Sequence, residues 1–338
     1  METAFFSFKG FNGDLIKRLS GAISVKLNGF SLRTFLLGIC FPNALSADEA
    51  ALLKKEFQFA LVKELERKLK ARADFEKPQV QIIIDFDSRK ISFSIASVFL
   101  YGVYKKFSRK LAQTIFYCPK CRGKGCKECS FRGKLGIRTV QELIAKPCMQ
   151  AFKAKDNKFH GSGREDVDAR MLGNGREFVL ELIEPKKRKL NPKKLQKEVN
   201  KKIGKRVLVS RLCFSDRKMV EKLKEAKHEK IYLATVSCKK TIEKNFLKEL
   251  GGKEIVLEQR TPHRVSGRRA DLVRERKAII LQAKQLSKKS FSMKIQAEAG
   301  LYVKEFISGD DGRTIPSVSS IIENDCRCKQ LDVVRILR

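Results

Sequence analysis

The sequence predicts an α+β protein of two or three domains, with a mixed, largely antiparallel sheet in its C-terminal part. The 338 residues exceed the usual size of one domain. In the first third, a long helical pattern precedes two strand patterns, which is typical of a small α+β module. The remainder is rich in strand patterns and poor in helical ones, which favours a mixed sheet over a regular parallel repeat of strands and helices.

The first third supplies one long helix and a pair of strands. Residues 46–72, SADEAALLKKEFQFALVKELERKLKAR, begin with Ser46 as a candidate N-cap and carry acidic residues in the first turn. Their apolar residues recur at helical spacing, so one amphipathic helix is expected. The segments QVQIIIDFD and ISFSIASVFLYG are rich in β-branched and aromatic residues and predict two strands.

The rest of the chain alternates few helices with many strands. VQELIAKPCMQAF predicts a short helix, REFVLELIEP a strand ended by Pro185, and NPKKLQKEVNKKIGK a basic helix with Pro192 near its start. VKEFISGDDGR predicts a short helix that ends at Gly309. Further strands are expected in RVLVSRLCFS, KIYLATVSC, EIVLEQRTP, KAIILQAKQL and SFSMKIQAEAG.

The charge balance indicates an anionic partner. The chain has 73 Lys and Arg against 38 Asp and Glu, a net charge of +35. Nucleic acid is the expected partner, because each phosphate contact releases a condensed counterion; an anionic membrane surface is the alternative. No stretch reaches the roughly 18 apolar residues of a spanning helix, and no signal pattern opens the chain. We therefore expect a soluble, cytoplasmic protein without a membrane partner.

Four of the ten cysteines form two C-x-x-C pairs within YCPKCRGKGCKECSFRGK: Cys118, Cys121, Cys126 and Cys129. Each pair can bind one side of a tetrahedral zinc ion, and four sulfur ligands would make the site closed and structural. Gly123 and Gly125 allow the short return between the pairs. Free or redox-active thiols in a basic loop are the alternative. Cys326 and Cys328 are too close in sequence to chelate together and receive no role.

Common catalytic motifs are missing from the sequence. There is no G-x-x-x-x-G-K-[ST] loop, no complete G-x-G-x-x-G after a strand, and only three scattered histidines. Any enzymatic chemistry would therefore depend on carboxylate, lysine, arginine, tyrosine or cysteine side chains.

Three segments offer such a set of side chains. GREDVDARMLG, residues 163–173, places three carboxylates between glycines, KIYLATV carries Tyr232, and AGLYVKEF carries Tyr302 and Lys304. In an extended backbone, Tyr302 and Lys304 would point to one side. A tyrosine can stack on a base taken out of its helix. A nearby cation keeps a buried carboxylate ionised, and an ionised Asp can act at a sugar carbon. An Asp-rich turn tethered by arginine for structural reasons is the alternative.

The same segments resemble a known family. GREDVDARMLGNGREFVLEL, KIYLATV, TPHRVSGRRADLVR and AGLYVKEFISGDDGRTIPSV are similar, in this order, to the signature blocks of the archaeal tRNA pseudouridine synthases of the Pus ten family. The resemblance runs from about residue 80 to the end. Residues before that are similar only loosely, to a THUMP-type domain. The resemblance implies a THUMP-like tRNA-binding domain in residues 1–112, a zinc knuckle in 113–135 and a pseudouridine synthase domain in 136–338.

The resemblance also implies roles. Asp166 would be the catalytic aspartate and Lys304 its paired cation. Tyr232 would pack on the target uracil, and Tyr302 would contact the substrate at a second position. The implied reaction converts uridine to pseudouridine at positions 54 and 55, in the T-loop of tRNA. It would need no organic cofactor, and no obligatory protein partner is expected.

Several points stay open. Asp168 would share a face with Asp166 in an extended strand, and each would then raise the pKa of the other. The resemblance implies a local bend instead; alternatively, Asp168 pairs with Arg170 or Arg176. A non-catalytic, basic zinc-knuckle RNA-binding protein is the main alternative function. A THUMP-containing tRNA thiolase or methyltransferase is disfavoured by the missing glycine motifs.

Three residues depart from the family pattern: Glu177 stands in place of Pro, Leu301 in place of Thr and Gly267 in place of His. The last lies in a loop that the resemblance places near RNA.

Overall fold

The computed structural model describes residues 4–6, 12–41, 47–136, 138–243, 247 and 250–338. The α-helices of these residues are α1 (Gly13–Lys26), α2 (Ala47–Leu69), α3 (Val140–Phe152), α4 (Pro192–Ile203), α5 (Arg217–Glu225), α6 (Val303–Ser308) and α7 (Val318–Ile321). Short 3-10 helices span Lys127–Cys129, Gly204–Arg206 and His263–Arg268.

The strands are β1 (Ala4–Phe5), β2 (Thr34–Cys40), β3 (Arg72–Ala73), β4 (Val80–Asp85), β5 (Lys90–Ile95), β6 (Val98–Lys106), β7 (Asp156–Gly161), β8 (Ala169–Ile183), β9 (Val207–Ser215), β10 (Lys230–Cys238), β11 (Glu254–Arg260), β12 (Val273–Ser287), β13 (Ser290–Ala297), β14 (Thr314–Ile315) and β15 (Cys326–Ile336).

The smaller sheet has the order β1-β5-β4-β2-β3. Alternate residues of β4 are buried, and they share a hydrophobic core with the apolar faces of α1 and α2. One face of the sheet is therefore covered by two helices, which confirms the predicted α+β module. The long helix predicted for residues 46–72 is α2; its predicted N-cap, Ser46, lies outside the described residues.

The larger sheet has ten strands in the order β14-β11-β12-β13-β10-β15-β8-β6-β9, and β7 pairs with β8. Its pairs are antiparallel except β8 with β15, as the predicted mixed sheet requires. Helices α3 and α4 pack on one half of this sheet, and α6 and α7 pack on the other. Tyr232 of β10 contacts both hydrophobic clusters, so it marks the centre of the sheet.

Strand β6 belongs to the larger sheet, although its residues lie within the range predicted for the first domain. It falls within predicted residues 1–112, yet its partners are β8 and β9. The segment ISFSIASVFLYG is two strands, and the break at residues 96–97 sends the chain from one sheet to the other. The change of sheet therefore comes before residue 112.

No helix among the described residues is both long enough and apolar enough to cross a lipid bilayer.

Candidate active site

A cleft of about 580 Å³ opens at the centre of the larger sheet. Its walls come from the turn before β8, from β10 and β15, from the His263–Arg268 helix and from the start of α6. The cleft contains Asp166, Tyr232, Tyr302 and Lys304. Four side chains from three segments that are far apart in sequence, and that sequence reasoning grouped, therefore line one cavity.

The turn that carries Asp166 begins at a glycine in a left-handed conformation. Gly163 has φ +81°, and a Cβ there would lie 2.8 Å from Nη1 of the buried Arg176. Only glycine tolerates both constraints without strain. The turn closes where the Ala169 amide donates to the Asp166 carbonyl at 3.2 Å, and β8 begins there.

Two cations hold the Asp166 carboxylate. Arg264 Nη1 lies 3.0 Å from Oδ1, and Lys304 Nζ lies 3.3 Å from Oδ2. Lys304 is closer still to Asp168, at 2.7 and 2.8 Å from its two oxygens. One ammonium therefore bridges two aspartates.

The partner of Asp168 differs from both predicted alternatives. Arg170 pairs with Asp332, and Arg176 pairs with Glu165, so neither arginine is the partner. Burial raises the pKa of Asp168, but the hydrogen bond and the charge of Lys304, together with the charge of Arg264, outweigh burial, so the pKa is lowered. Asp166 and Asp168 precede β8 in a turn, so the extended strand in which the two would share a face is not present.

The two tyrosines reach the cleft from different elements. Tyr302 is the N-cap of α6 and Lys304 lies in its first turn, so the extended backbone in which both would point to one side is not present there. The predicted short helix ending at Gly309 is confirmed. Tyr232 points from β10 into the cleft, where burial raises the pKa of its phenol and keeps it neutral.

Arg264 lies in the segment TPHRVSGRRADLVR, and the sequence alone assigns it no role. Its guanidinium donates to Asp166 and also binds the buried Glu305, with Nε 2.5 Å from Oε1 and Nη2 3.3 Å from Oε2. The same guanidinium lies 5.7 Å from the centre of the Tyr302 ring, as in a cation–π contact. Burial lowers the pKa of Arg264, but the hydrogen bonds and charges of Glu305 and Asp166 together outweigh burial, so the pKa is raised. Arg264 is therefore a permanent cation in the cleft.

A buried ion pair lies beneath the turn. The side chains of Glu165 and Arg176 are each 1% exposed, and Arg176 Nε lies 2.8 Å from Glu165 Oε2. Tyr104 donates its hydroxyl to the same carboxylate at 2.8 Å, and Arg176 Nη1 donates to the Ser162 carbonyl at 2.6 Å. The first carboxylate of the turn therefore anchors it from below.

Lys106 is a second anchor. Its fully buried ammonium donates to the carbonyls of Leu111, Asp166 and Val167, at 2.7, 2.9 and 3.0 Å. These three bonds use all of its donors. Burial lowers the pKa of Lys106 to about 8. The backbone of the turn is thus tied directly to β6.

Comparison with known proteins identifies the family. A family model described as "Pus10, C-terminal" matches residues 99–336. The chain belongs to the Pus10 family of pseudouridine synthases. These enzymes isomerise uridine to pseudouridine.

Full-length relatives support the assignment. The tRNA pseudouridine synthase Pus10 of Methanocaldococcus jannaschii is 41% identical, over 96% of this chain and 73% of that protein. The protein of the same name from Archaeoglobus fulgidus is 38% identical, over 96% of this chain and 92% of that protein. Among solved structures, a Cbf5-Nop10-Gar1 complex matches with a TM-score of 0.34 and 16% identity, over 58% of this chain and 44% of that chain.

Glu177, which departs from the Pus10 pattern, has partners of its own. Tyr101 donates its hydroxyl to Oε1 at 2.6 Å, and Arg338 Nε lies 3.3 Å from Oε2. The two other departures lie near the cleft: Leu301 lines it, and Gly267 lies in the 3-10 helix over it.

The four cysteines of the two C-x-x-C pairs converge. Their sulfur atoms all lie within 4.8 Å of one another, with Cys118 3.8 Å from Cys126 and Cys121 3.8 Å from Cys129. A tetrahedral ion with metal–sulfur bonds of about 2.3 Å requires sulfur separations of about 3.8 Å. The Gly133 amide donates to the Cys129 sulfur at 3.2 Å, which favours a thiolate. The cluster can therefore hold a metal ion.

Cys326, to which no role was given, faces another cysteine. Its sulfur lies 2.9 Å from that of Cys238 on the neighbouring strand, and both residues are buried. Cys328 is partly buried, and its thiol donates to the Gln330 carbonyl at 3.4 Å.

Proposed function

We propose that this chain converts uridine to pseudouridine in the T-loop of tRNA, at positions 54 and 55, and that Asp166 is the catalytic residue. The observation that supports this most strongly is the Asp166 carboxylate, 35% exposed in a cleft, between two cations and beside two tyrosines. This carboxylate is held in place and is still accessible to a sugar carbon.

The reaction exchanges one bond for another. The target uridine is flipped into the cleft, and Asp166 acts on its sugar as nucleophile or base. The N1–C1′ bond breaks, the uracil turns, and a C5–C1′ bond forms. C5 then loses its proton to solvent and N1 takes one up. Electrons are neither gained nor lost, so no redox cofactor takes part.

Each cleft residue has a place in this scheme. Lys304 and Arg264 bind the Asp166 carboxylate and fix its position beside the flipped nucleotide. Tyr232 packs on the flipped uracil, and Tyr302 contacts the nucleotide from the start of α6. Arg264 holds the two sides of the cleft together, because it binds Asp166 on one side and Glu305 on the other.

The remaining parts of the chain serve tRNA binding. We assign a THUMP-like role to the small α+β module and a structural zinc ion to the four cysteines. The exposed lysines of α4 and the net charge of +35 provide attraction to phosphate. The domain limits follow the sheets, with β6 assigned to the catalytic part.

Tritium release tests the reaction. Unmodified tRNA labelled at uridine C5 should lose tritium to water when the enzyme is added, because C5 loses its hydrogen only if it bonds to the sugar. Asp166→Asn should still bind this tRNA but lose turnover by several orders of magnitude. Asp325→Asn removes the charge of an exposed aspartate and serves as the matched control.

Two outcomes would redirect the proposal. Tight tRNA binding without tritium release by the wild-type enzyme would indicate the non-catalytic RNA-binding alternative. Normal turnover by Asp166→Asn, with loss in Asp168→Asn, would move the catalytic role to Asp168.

A further inference from the structure

One cation of the cleft is partly buried without a carboxylate partner among the described residues. Arg176, Arg264 and Lys304 are ion-paired, whereas Lys230 is not. Lys230 donates one N–H to the His228 carbonyl at 2.7 Å, and its two other donors have no acceptor in the described part of the chain. Burial lowers its pKa to about 8. A partly desolvated ammonium without a carboxylate partner can bind an acceptor that a ligand supplies in the cleft.

Lys230 and Tyr232 are aligned on one strand. They are two residues apart in β10, and side chains two apart in a strand point to the same face. Both line the cleft. Lys230 is therefore about 7 Å along the strand from the ring proposed to carry the uracil.

The pairing of the strands places Asp166 on the other side of that ring. The turn with Asp166 enters β8, and the start of β8 lies level with Ala234 of β10 through the intervening strand β15. Lys230 lies at the opposite end, level with the end of β15. Along β10 the order is thus the aspartate turn, Tyr232 and Lys230.

A uracil in this position directs one oxygen toward Lys230. In the uracil ring C4 lies opposite N1, so O4 points away from the sugar. With the sugar at Asp166 and the ring on Tyr232, O4 is directed along β10. We propose that Lys230 donates a hydrogen bond to O4 of the target uracil and thereby selects uracil over cytosine, which carries an amino group there. This inference rests on the proposed function.

Lys230 can form an equivalent hydrogen bond after the uracil has rotated. To present C5 to the sugar, the detached ring turns by half a revolution about the line through N3 and C6. This motion exchanges the places of N1 and C5, and also those of O4 and O2. Lys230 therefore donates its hydrogen bond to O4 before the rotation and to O2 after it. An ammonium suits this task, because its three donors rotate freely and demand no planar partner.

Binding measurements test the selection. Lys230→Met is made in full-length enzyme that carries Asp166→Asn, so that no turnover disturbs the equilibrium. T-loop hairpins with uridine or cytidine at the target position are compared. We expect the parent to prefer uridine by about tenfold or more, as for one hydrogen bond to a charged group. Lys230→Met should abolish this preference by weakening the uridine complex alone.

Two controls accompany this experiment. Lys294→Met removes an exposed lysine of the neighbouring strand β13 and should keep the preference. Thermal unfolding should show that Lys230→Met is folded. A folded Lys230→Met that prefers uridine as strongly as its parent would overturn the proposal, as would a parent that binds both hairpins equally.

A rate measurement separates this proposal from the proposed function. With Asp166 intact, a hairpin with 4-thiouridine should react more slowly than one with uridine, because sulfur accepts hydrogen bonds weakly. In Lys230→Met the two hairpins should react at equal rates, as in a double-mutant cycle. Failure of the wild-type enzyme to isomerise uridine would refute the proposed function, while the binding preference would still decide the role of Lys230.

Discussion

Lys304 Nζ lies 2.7 Å from Asp168 and 3.3 Å from Asp166, so one ammonium serves two carboxylates. Lys304→Met should reduce turnover strongly. Lys304 holds the pKa of Asp168 below its usual value, so its removal lets that pKa rise. Asp168 then needs a higher pH to be fully charged, so the negative charge beside Asp166 forms at a higher pH and the acid limb of the rate–pH profile should move upward. Single-turnover rates between about pH 5 and 8 measure this.

Lys304→Arg is the matched control for that prediction. It retains the charge and should keep part of the activity, limited by the planar shape of guanidinium. A normal rate and an unchanged pH profile in Lys304→Met would leave Arg264 as the cation that matters.

The buried pair of Glu165 and Arg176 should be essential for stability. Arg176→Met leaves the Glu165 carboxylate buried without its cation, and loss of one partner of such a pair costs about 3–5 kcal/mol. Urea denaturation measures the free energy of unfolding. Lys239→Met breaks an exposed pair with Asp325 and should cost at most about 1 kcal/mol. Equal effects of the two changes would show that the buried pair does not anchor the turn.

Removal of the metal should destabilise the cysteine cluster. We expect one zinc ion per chain by elemental analysis, and Cys121→Ser should lower both metal content and melting temperature, because metal binding there is coupled to folding. Cys213→Ser changes an exposed cysteine on β9 and should alter neither. A pure, active protein without metal would contradict this assignment.

The lysines of α4 should contribute to tRNA affinity through charge. Leu195, Val199 and Ile203 are buried, and the exposed lysines of the helix include Lys193, Lys194 and Lys197. Each phosphate contact adds about −0.7 to −0.9 to the slope of log affinity against log salt. Replacement of the three lysines by glutamine should therefore make the slope shallower without changing which uridine reacts.

A second triple change tests whether position matters. Lys284, Lys288 and Lys289 are also exposed, and their replacement by glutamine removes the same charge. Equal effects of the two triple changes would mean that only net charge counts. An unchanged slope in the α4 variant would mean that this helix is a solvated surface.

Local pattern was enough to predict most elements of the fold. The apolar spacing of α2, the β-branched runs of β10 and β13, and the glycine that ends α6 are short-range signals. Strand β6 lies within the range predicted for the first domain but pairs in the larger sheet, and local pattern does not reveal this because pairing depends on partners distant in sequence.

In the candidate site, too, local sequence identifies some residues, whereas contacts between distant residues cannot be predicted. Residues with distinctive local sequence, such as Asp166 and Tyr232, could be singled out before the structure was known. Arg264 could not be paired with Asp166, because 98 residues separate them and arginines are frequent in this chain. The anchoring roles of Lys106 and Arg176 depend on burial, which a basic sequence does not reveal.

Strand β15 lies between β8 and β10, so the aspartate turn and Tyr232 share a sheet only through residues 326–336. A ribosome makes both of those parts well before it makes this strand. The nascent chain therefore carries the two halves of the cleft without the strand that joins them. We expect the pocket for the flipped base to close late in folding, since such distant contacts form slowly. A partly synthesised enzyme would have charge enough to attract RNA before it has the means to modify it.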